Sequence, residues 1–436
     1  MTETGPPGAR RWLVLAICCM SLLIVGLDVT IVNVALPSLR RDLDATVSEL
    51  QWVLDAYTLV LAGLLMLAGS TADRLGRARI FKVGLSLFTL GSLLCSVAPG
   101  VGVLIAARVV QAIGGSMLNP VAMSIVRTTF TDARERAQAI GIWGGVIGLS
   151  MALGPVLGGA LVEGIGWRAI FWVNVPVGLA AIVLTARFVA ESRAPRARRP
   201  DPVGQSLVLL FLVCLTYAII EAPVAGWLSG QTVGLVGVAA AALAGLVLYE
   251  PRRRDPLIEL RFFRSAPFSG ATVIAVSAFA GLGGFLFLNT LYLQQARGLS
   301  PLSAGVYLLP MAAATLVAGP LSGRAVGRVG ARPSLLFGGV GICASAVMLT
   351  GVSPATSHLW LIAAYVIFGL GFGAVNPPIT NTAVSGMPPG QAGVAAAVAS
   401  TSRQIGATFG IAIVGAIAVA STGSAAALAA ASHPGW

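Results

Sequence analysis

The feature that most constrains this chain is a succession of apolar runs, each about the 20 residues that a helix needs to cross the hydrocarbon core of a bilayer. By that length criterion they fall at about 12–36, 50–69, 79–98, 101–122, 137–161, 169–189, 203–221, 231–249, 267–290, 302–323, 334–352, 357–379 and 392–420. A bilayer offers no water to peptide groups, so such runs must satisfy their backbone internally, as helices. The expected fold class is an all-α integral membrane protein with about thirteen transmembrane helices. Charged residues make up only 10% of the 436, against about 25% in soluble domains. A cleaved signal peptide accounts for one such run and no more.

The net charge of +12 invites a nucleic-acid reading, but the arginines alternate by loop. Loops on one side hold only Arg40, Arg41, Arg168 and Arg297, and the middles of the runs hold only Arg108 and Arg403. Every other basic residue of the 28 lies in the N-terminal tail, in loops on the opposite side or at the run ends that meet them. Examples are Arg10, Arg11, Arg74, Arg77, Arg127, Arg134, Arg193, Arg196, Arg198, Arg199, Arg252 to Arg254, Arg324 and Arg328. Positive loops stay in the cytoplasm, so the N-terminus is expected there, in a multi-pass protein of the inner (plasma) membrane. The bilayer is then the partner, and nucleic acid is not. Cys18, Cys19, Cys95, Cys214 and Cys343 all lie in apolar runs without metal-ligand spacing, which reads as packing and predicts no metal.

An internal repeat is visible. Gly69, Asp73, Arg74, Gly76 and Arg77 close the second run, and Gly323, Gly327, Arg328, Gly330 and Arg332 close the tenth. Repeats of this kind underlie transporter folds whose halves rock about a central site. The organisation expected is a tail 1–11, a six-helix bundle 12–189, a basic linker 190–202 and an inserted helix pair 203–249. A second basic linker 250–266, a five-helix bundle 267–420 and an alanine-rich tail 421–436 follow. On a symmetric plan the last bundle is short of one helix, and an odd number of spans puts the C-terminus outside. Glycine pairs spaced by four, Gly141 and Gly145, Gly154 and Gly158, Gly369 and Gly373, Gly406 and Gly410, read as close helix contacts.

Ionisable residues inside a membrane cost at least about 2.5–3.5 kcal/mol on insertion scales and mark function by default. Asp28 sits about two-thirds along the first run, on a helix that carries Thr30 and Asn33 on other faces. Polar groups on several faces place that helix inside the bundle, beside a cavity. Gln51, Asp55 and Thr58 form one stripe on the second run, where Asp55 points inward but lies nearer the outer surface, so that a functional role weighs evenly against a solvated or structural one. Arg108, Gln111, Gly115 and Asn119 form another on the fourth. At 1.5 Å per residue Asp28, Asp55 and Arg108 all lie roughly 8–12 Å below the outer helix ends. An arginine beside a carboxylate expels its proton and separation restores it, so helix motion and proton movement can be linked. A static salt bridge is the plain alternative. Arg403 and Gln404, in the last run, read as packing or backbone bonding rather than substrate contacts.

Segment 27–37, with Leu27, Asp28, Thr30, Asn33, Ala35, Leu36 and Pro37, resembles the first-helix signature of the fourteen-helix drug:proton antiporters of the major facilitator superfamily. Gly69 to Arg77 resembles that superfamily's cytoplasmic gate signature. Arg108, Gln111 and Gly114 resemble its fourth-helix proton-transfer signature, with Ala112 in place of the usual glycine. Gly148, Gly154, Pro155, Gly158 and Gly159 match the antiporter signature of exporters. Trp167, Arg168, Phe171, Asn174 and Pro176 continue the likeness. Gln51, Trp52, Asp55 and Tyr57, taken with Asp28, resemble exporters of lipophilic cations.

The resemblance implies a multidrug efflux antiporter driven by the proton motive force, without a cofactor. Its substrates would be small hydrophobic, often cationic, drugs or antibiotics, and it would work as a monomer. Asp28, Asp55 and Arg108 would couple protons to substrate in a cavity lined by Thr30, Asn33, Gln51, Tyr57, Thr58, Gln111 and Asn119. Alternatives are an exporter of an anionic host metabolite or antibiotic, with Arg108 as the binder, and a membrane sensor or scaffold that has lost transport. A membrane enzyme is the weakest rival, because no nucleotide loop, metal cluster or nucleophile constellation occurs.

Overall fold

The computed structural model describes residues 7–194, 201–253, 256–384 and 392–419. Arg196, Arg198, Arg199 and Arg254 of the basic linkers, and the tail 421–436, lie outside the described residues. The N-terminal portion forms α1 (Pro7–Leu43), α2 (Val47–Leu75), α3 (Arg77–Ser96), α4 (Val101–Thr129), α5 (Ala133–Gly164), α6 (Ala169–Trp172) and α7 (Asn174–Phe188). Next come α8 (Pro202–Ala225) and α9 (Gly230–Tyr249). The remainder forms α10 (Ala266–Leu291), α11 (Pro301–Tyr307), α12 (Leu309–Val329), α13 (Ala331–Leu349), α14 (His358–Val384) and α15 (Ala392–Val419).

Among the described residues 12 spans are long and apolar enough to cross a membrane, counting α6 with α7 and α11 with α12 as single spans. Helix α15, 28 residues long, brings the bundle to the expected count. The helices outrun the apolar stretches that announce them. Helix α1 has 37 residues and α5 has 32, well beyond the 20 or so that span hydrocarbon. A helix entering the headgroup region needs hydrogen bonds and caps rather than apolar side chains. Thr46 and Glu49 supply them at α2, where Thr46 Oγ1 accepts from the Glu49 amide at 3.2 Å and Glu49 Oε2 accepts from the Thr46 amide at 2.8 Å. Asp132 does the same for α5, accepting from the Arg134 and Glu135 amides at 2.9 Å.

The sequence repeat has a structural counterpart. Gly76 joins α2 to α3 at φ 117°, and Gly330 joins α12 to α13 at φ 86°, a backbone region that L side chains rarely enter. Gly69 faces Pro120 of α4, and Gly323 faces Pro377 of α14. Gly84 presses on α4 at Gly114 as Gly338 presses on α14 at Gly371. The unit α2–α3–α4 is thus reproduced by α12–α13–α14.

Contacts between the two portions run through α2 with α15, α1 with α10, and α5 with α11 and α12. The pair α8–α9 packs outside, against α2 and α15, with Trp52 and Tyr217 rings 5.5 Å apart. Three of the four spaced glycine pairs do pack: Gly154 and Gly158 on α1, Gly369 and Gly373 on α12, Gly406 and Gly410 on α10. Gly141 and Gly145 do not, since nothing lies within 4 Å of a Cβ placed there. Spacing identifies a smooth helix face, but only the neighbouring helix decides whether that face is used.

This difference can be measured by thermal unfolding in detergent. A Cβ at Gly159 would stand 2.5 Å from the Pro301 carbonyl oxygen and the Leu302 Cα, so Gly159→Ala is expected to destabilise by about 1–3 kcal/mol. Gly145→Ala should be neutral or stabilise by up to about 1 kcal/mol, because it gains helix propensity without a clash.

Candidate functional site

Five helices bring one polar network together in the apolar interior. Asp28 of α1 and Arg108 of α4 are 0% and 1% exposed, and Arg108 Nη1 lies 2.5 Å from Asp28 Oδ2. Gln111, one turn after Arg108, accepts from Nη1 at 2.7 Å and donates through Nε2 to Asp28 Oδ1 at 2.7 Å. Gln111 Nε2 also donates to Ser92 Oγ of α3 at 2.8 Å. Asn174, at the start of α7, donates to Asp28 Oδ1 at 3.3 Å and to Ser92 Oγ at 3.4 Å. Arg108 Nε donates to the Val53 carbonyl of α2 at 3.1 Å, and its guanidinium lies 4.1 Å from the Tyr57 ring centroid. Glycines make this density possible: Gly91 lies directly on the Gln111 backbone, and Gly115 leaves room for the Tyr57 hydroxyl.

Of the roles left open for Asp55, the solvated one does not hold. Asp55 is 0% exposed, and neither carboxylate oxygen has a hydrogen-bond partner among the described residues. The α2 stripe around it meets α15. Gln51 Nε2 donates to the Ile411 and Ala412 carbonyls at 3.2 and 2.9 Å, and Thr58 Oγ1 accepts from Thr408 Oγ1 at 2.8 Å. Depth along helices predicted that Asp28, Asp55 and Arg108 could meet. Asp28 and Arg108 do, while Asp55 points from α2 into a seam with the other half, because a helix stripe fixes direction only relative to its own axis.

Beside the network lies a cavity of about 940 Å³. Of the residues expected to line it, Thr30, Asn33, Tyr57, Thr58 and Asn119 do so, and Arg108 of the coupling set joins them. Gln51 and Gln111 do not, since the first is bonded into α15 and the second into the ion pair. The opposite wall comes from α10, α14 and α15, with Phe279, Phe372, Asn376, Thr380, Arg403 and Gln404. Arg403, read from sequence as packing, therefore faces the cavity. Ser92, inside the network, carried no sequence signal; a lone serine in an apolar run is ordinary.

The lining continues to Asp73, Arg77, Arg127, Asp201 and Pro256, so the cavity reaches the face that carries the arginine-rich loops. There Asp73 Oδ1 pairs with Arg77 Nη2 at 2.7 Å, while Arg74 is exposed. Glu191, after α7, accepts from the Ala78 and Arg79 amides at 3.0 Å and occupies the space a side chain at Gly76 would need. At the opposite face the halves close on each other. Gln294 Nε2 donates to the Val34 carbonyl at 2.8 Å, the Leu302 amide donates to Glu163 Oε2 at 3.3 Å, and Gly305 sits against the Pro155 carbonyl. Gly154 and Gly158 let α5 lie on Thr30 and Ile31, Gly159 lets it lie on α11, and Gly148 meets Leu316 of α12. The glycine signature of α5 is thus a seal. Among the described residues no cluster of three or more His, Cys, Asp or Glu is placed to hold a metal.

A family profile described as Major Facilitator Superfamily matches residues 18–411. The chain belongs to the Major Facilitator Superfamily. Within it, the chain is 38% identical over 401 residues to the multidrug resistance protein Stp of Mycobacterium tuberculosis, covering 92% of this chain and 74% of that one. It is 37% identical over 423 residues to the tetracenomycin C resistance and export protein of Streptomyces glaucescens, covering 95% and 77%. It is 34% identical over 409 residues to the multidrug efflux pump LfrA of Mycolicibacterium smegmatis, covering 94% and 81%. The fold resembles the crystal structure of a bacterial homologue of the human lysosomal transporter Spinster, described as inward-facing and unoccupied. The TM-score is 0.64 at 19% identity, covering 94% of this chain and 82% of that one. This is a multi-pass membrane transporter fold, with multidrug and antibiotic resistance proteins as relatives.

The facilitator's ion pair makes a stability prediction. Removing one partner of a buried pair strands the other charge and costs about 3–5 kcal/mol. Arg108→Met should therefore destabilise strongly, and the double variant Asp28→Asn with Arg108→Met should recover much of that loss. Thermal unfolding of the single and double variants as a double-mutant cycle reads the coupling, and additive losses would mean that the two side chains act independently.

Proposed function

We propose that the chain is a proton-coupled efflux antiporter of the fourteen-helix drug:proton type, exporting small hydrophobic drugs or antibiotics by alternating access. Its N-terminus and arginine-rich loops would face the cytoplasm of a bacterial inner membrane. The observation that carries this reading is the Asp28–Arg108–Gln111 network standing wall to wall with a cavity that opens on one face only.

The steps follow from that geometry. With the cavity open to the cytoplasm, a hydrophobic substrate enters between the two halves. Closure brings the mouth helices together, and the uncovered faces of Gly141, Gly144 and Gly145 on α5 are smooth surfaces for that movement. The α5–α11 seal then parts and the site opens outward. A proton arriving at Asp28 neutralises the carboxylate and ends its attraction for Arg108. The guanidinium, which already reaches the cavity lining, is then held chiefly by Gln111, Val53 and Tyr57. Return to the inward-open state restores the pair and expels the proton. Asp55, unpartnered on the α2–α15 seam, is a second carboxylate that such a rearrangement would expose.

The membrane potential contributes about 2.3 kcal/mol per elementary charge per 100 mV. A monovalent cation exchanged for one proton moves no net charge. An anion leaving as a proton enters moves two charges in the favourable direction. A second reading, export of an anionic metabolite or antibiotic, is favoured by Arg403 in the cavity wall.

The test is substrate-induced proton release from respiring inverted vesicles, with dye accumulation in intact cells. The wild-type protein should lower dye accumulation and release protons when substrate is added, and Asp28→Asn should abolish both. Equal behaviour of wild type and variant across a broad drug panel would sink the antiporter reading.

A further inference from the structure

Two arginines lie inside the membrane-spanning bundle, and their surroundings differ. Arg108 has the Asp28 carboxylate. Arg403 of α15 has no ion pair among the described residues. It is held by neutral acceptors on α14: Nη1 donates to Asn376 Oδ1 and to Thr380 Oγ1, and Nη2 to Thr380 Oγ1, each at 3.2 Å. A guanidinium has five N–H donors in a fixed planar fork, so this cradle orients the group and leaves donors over. Arg403, Asn376 and Thr380 all line the cavity, so those donors are within reach of a molecule inside it. Beside them stand Phe279 and Phe372, which also line the cavity, with ring centroids 5.0 Å apart. The Arg403 guanidinium lies 5.9 Å from the Phe279 centroid.

The charge of the rest of the lining decides what such a site accepts. Among the described residues the only carboxylates in the lining are Asp73 and Asp201, both at the mouth, and each faces an arginine: Arg77 at 2.7 Å and Arg253 at 3.9 Å. Deeper in, the sole charge without a counter-charge is Arg403. An intramembrane cation without a carboxylate is expensive and is kept where a ligand or pathway uses it. A planar fork suits an oxyanion bidentately, and the paired rings suit an aromatic body.

We propose that Arg403, cradled by Asn376 and Thr380 beside Phe279 and Phe372, is an anion subsite, and that the molecules this cavity takes are aromatic compounds bearing a carboxylate or phenolate. The proposal takes the cavity to be the substrate site, as in the export reading, and goes beyond it by assigning the substrate's charge and its partner. Arg108 is then left to the proton and Arg403 to the cargo.

Three anthracenes that differ in charge alone test it: anthracene-9-carboxylate, 9-anthracenemethanol and 9-(aminomethyl)anthracene. Binding to the full chain in phosphatidylcholine nanodiscs is read by anthracene fluorescence, with empty discs subtracted. The carboxylate should bind roughly tenfold more tightly than the alcohol, as a charge-assisted hydrogen bond allows, and the amine more weakly than either. Arg403→Gln should abolish the carboxylate's advantage and leave the alcohol unchanged, while Arg403→Lys should keep part of it.

Equal binding of all three probes, or an equal loss of all three in Arg403→Gln, would overturn the subsite. If Arg403→Gln does not fold, Arg403→Lys and Thr380→Val decide, because each must weaken the carboxylate several-fold and spare the alcohol. The readout needs no proton gradient, so the two readings fail separately. Charge-selective binding without substrate-driven proton release would remove the export reading and leave the subsite.

Discussion

A carboxylate and a guanidinium held together where there is no water set the terms for the rest of this molecule. Neither Asp28 nor Arg108 can be solvated in place, so each depends on the other and on neutral groups around them. Satisfying the pair recruits Gln111 from the same helix, Ser92 from α3, Asn174 from α7 and the Val53 carbonyl from α2. Five helices of the N-terminal portion are thereby indexed to one point. A change of charge at that point alters the balance among all of them.

The second constraint is close approach. Helix association in lipid gains little from burying apolar surface, so backbones must come near enough for dispersion and hydrogen bonds to act. Glycines permit this in two ways here. Those between α3 and α4, or between α13 and α14, are internal to one repeat and hold it rigid. Those of α5 at Gly154 and Gly158 rest on α1 within one half, and Gly159 rests on α11 across the line between the halves. The repeat is matched in its turns and helix contacts and unequal in charge. Gly76 and Gly330 both turn the chain at positive φ, but Asp73 has its arginine while Gly327 stands at the matching place. The Asp73–Arg77 ion pair therefore belongs to one half, and the chain after α7 is tied to that half through Glu191.

The cavity inherits an asymmetry of its own. One wall is polar and carries a neutralised ion pair; the other is aromatic and carries a lone cation. A site built from two walls of different chemistry can treat proton and cargo as separate problems, one for each half. Competition for a single carboxylate is then unnecessary.

The sequence by itself determined the class, about the number of spans and the superfamily, because runs of about 20 apolar residues admit one secondary structure. It also put Asp28, Asp55 and Arg108 at one depth, where they could meet, but only the packing of α1 against α4 decided that Arg108 pairs with Asp28. It did not determine where Asp55, Gln51 and Arg403 point. Periodicity ranks the faces of a helix but does not say which neighbour each face meets. Only the packing of α15 against α2 turned the Gln51–Asp55–Thr58 stripe into a seam between the halves. Only the placing of α14 beside α15 turned Arg403 from a packing residue into part of the cavity wall. Local patterns decide what a segment can become. The direction of a polar group depends on residues hundreds of positions away, and that is a property of the fold.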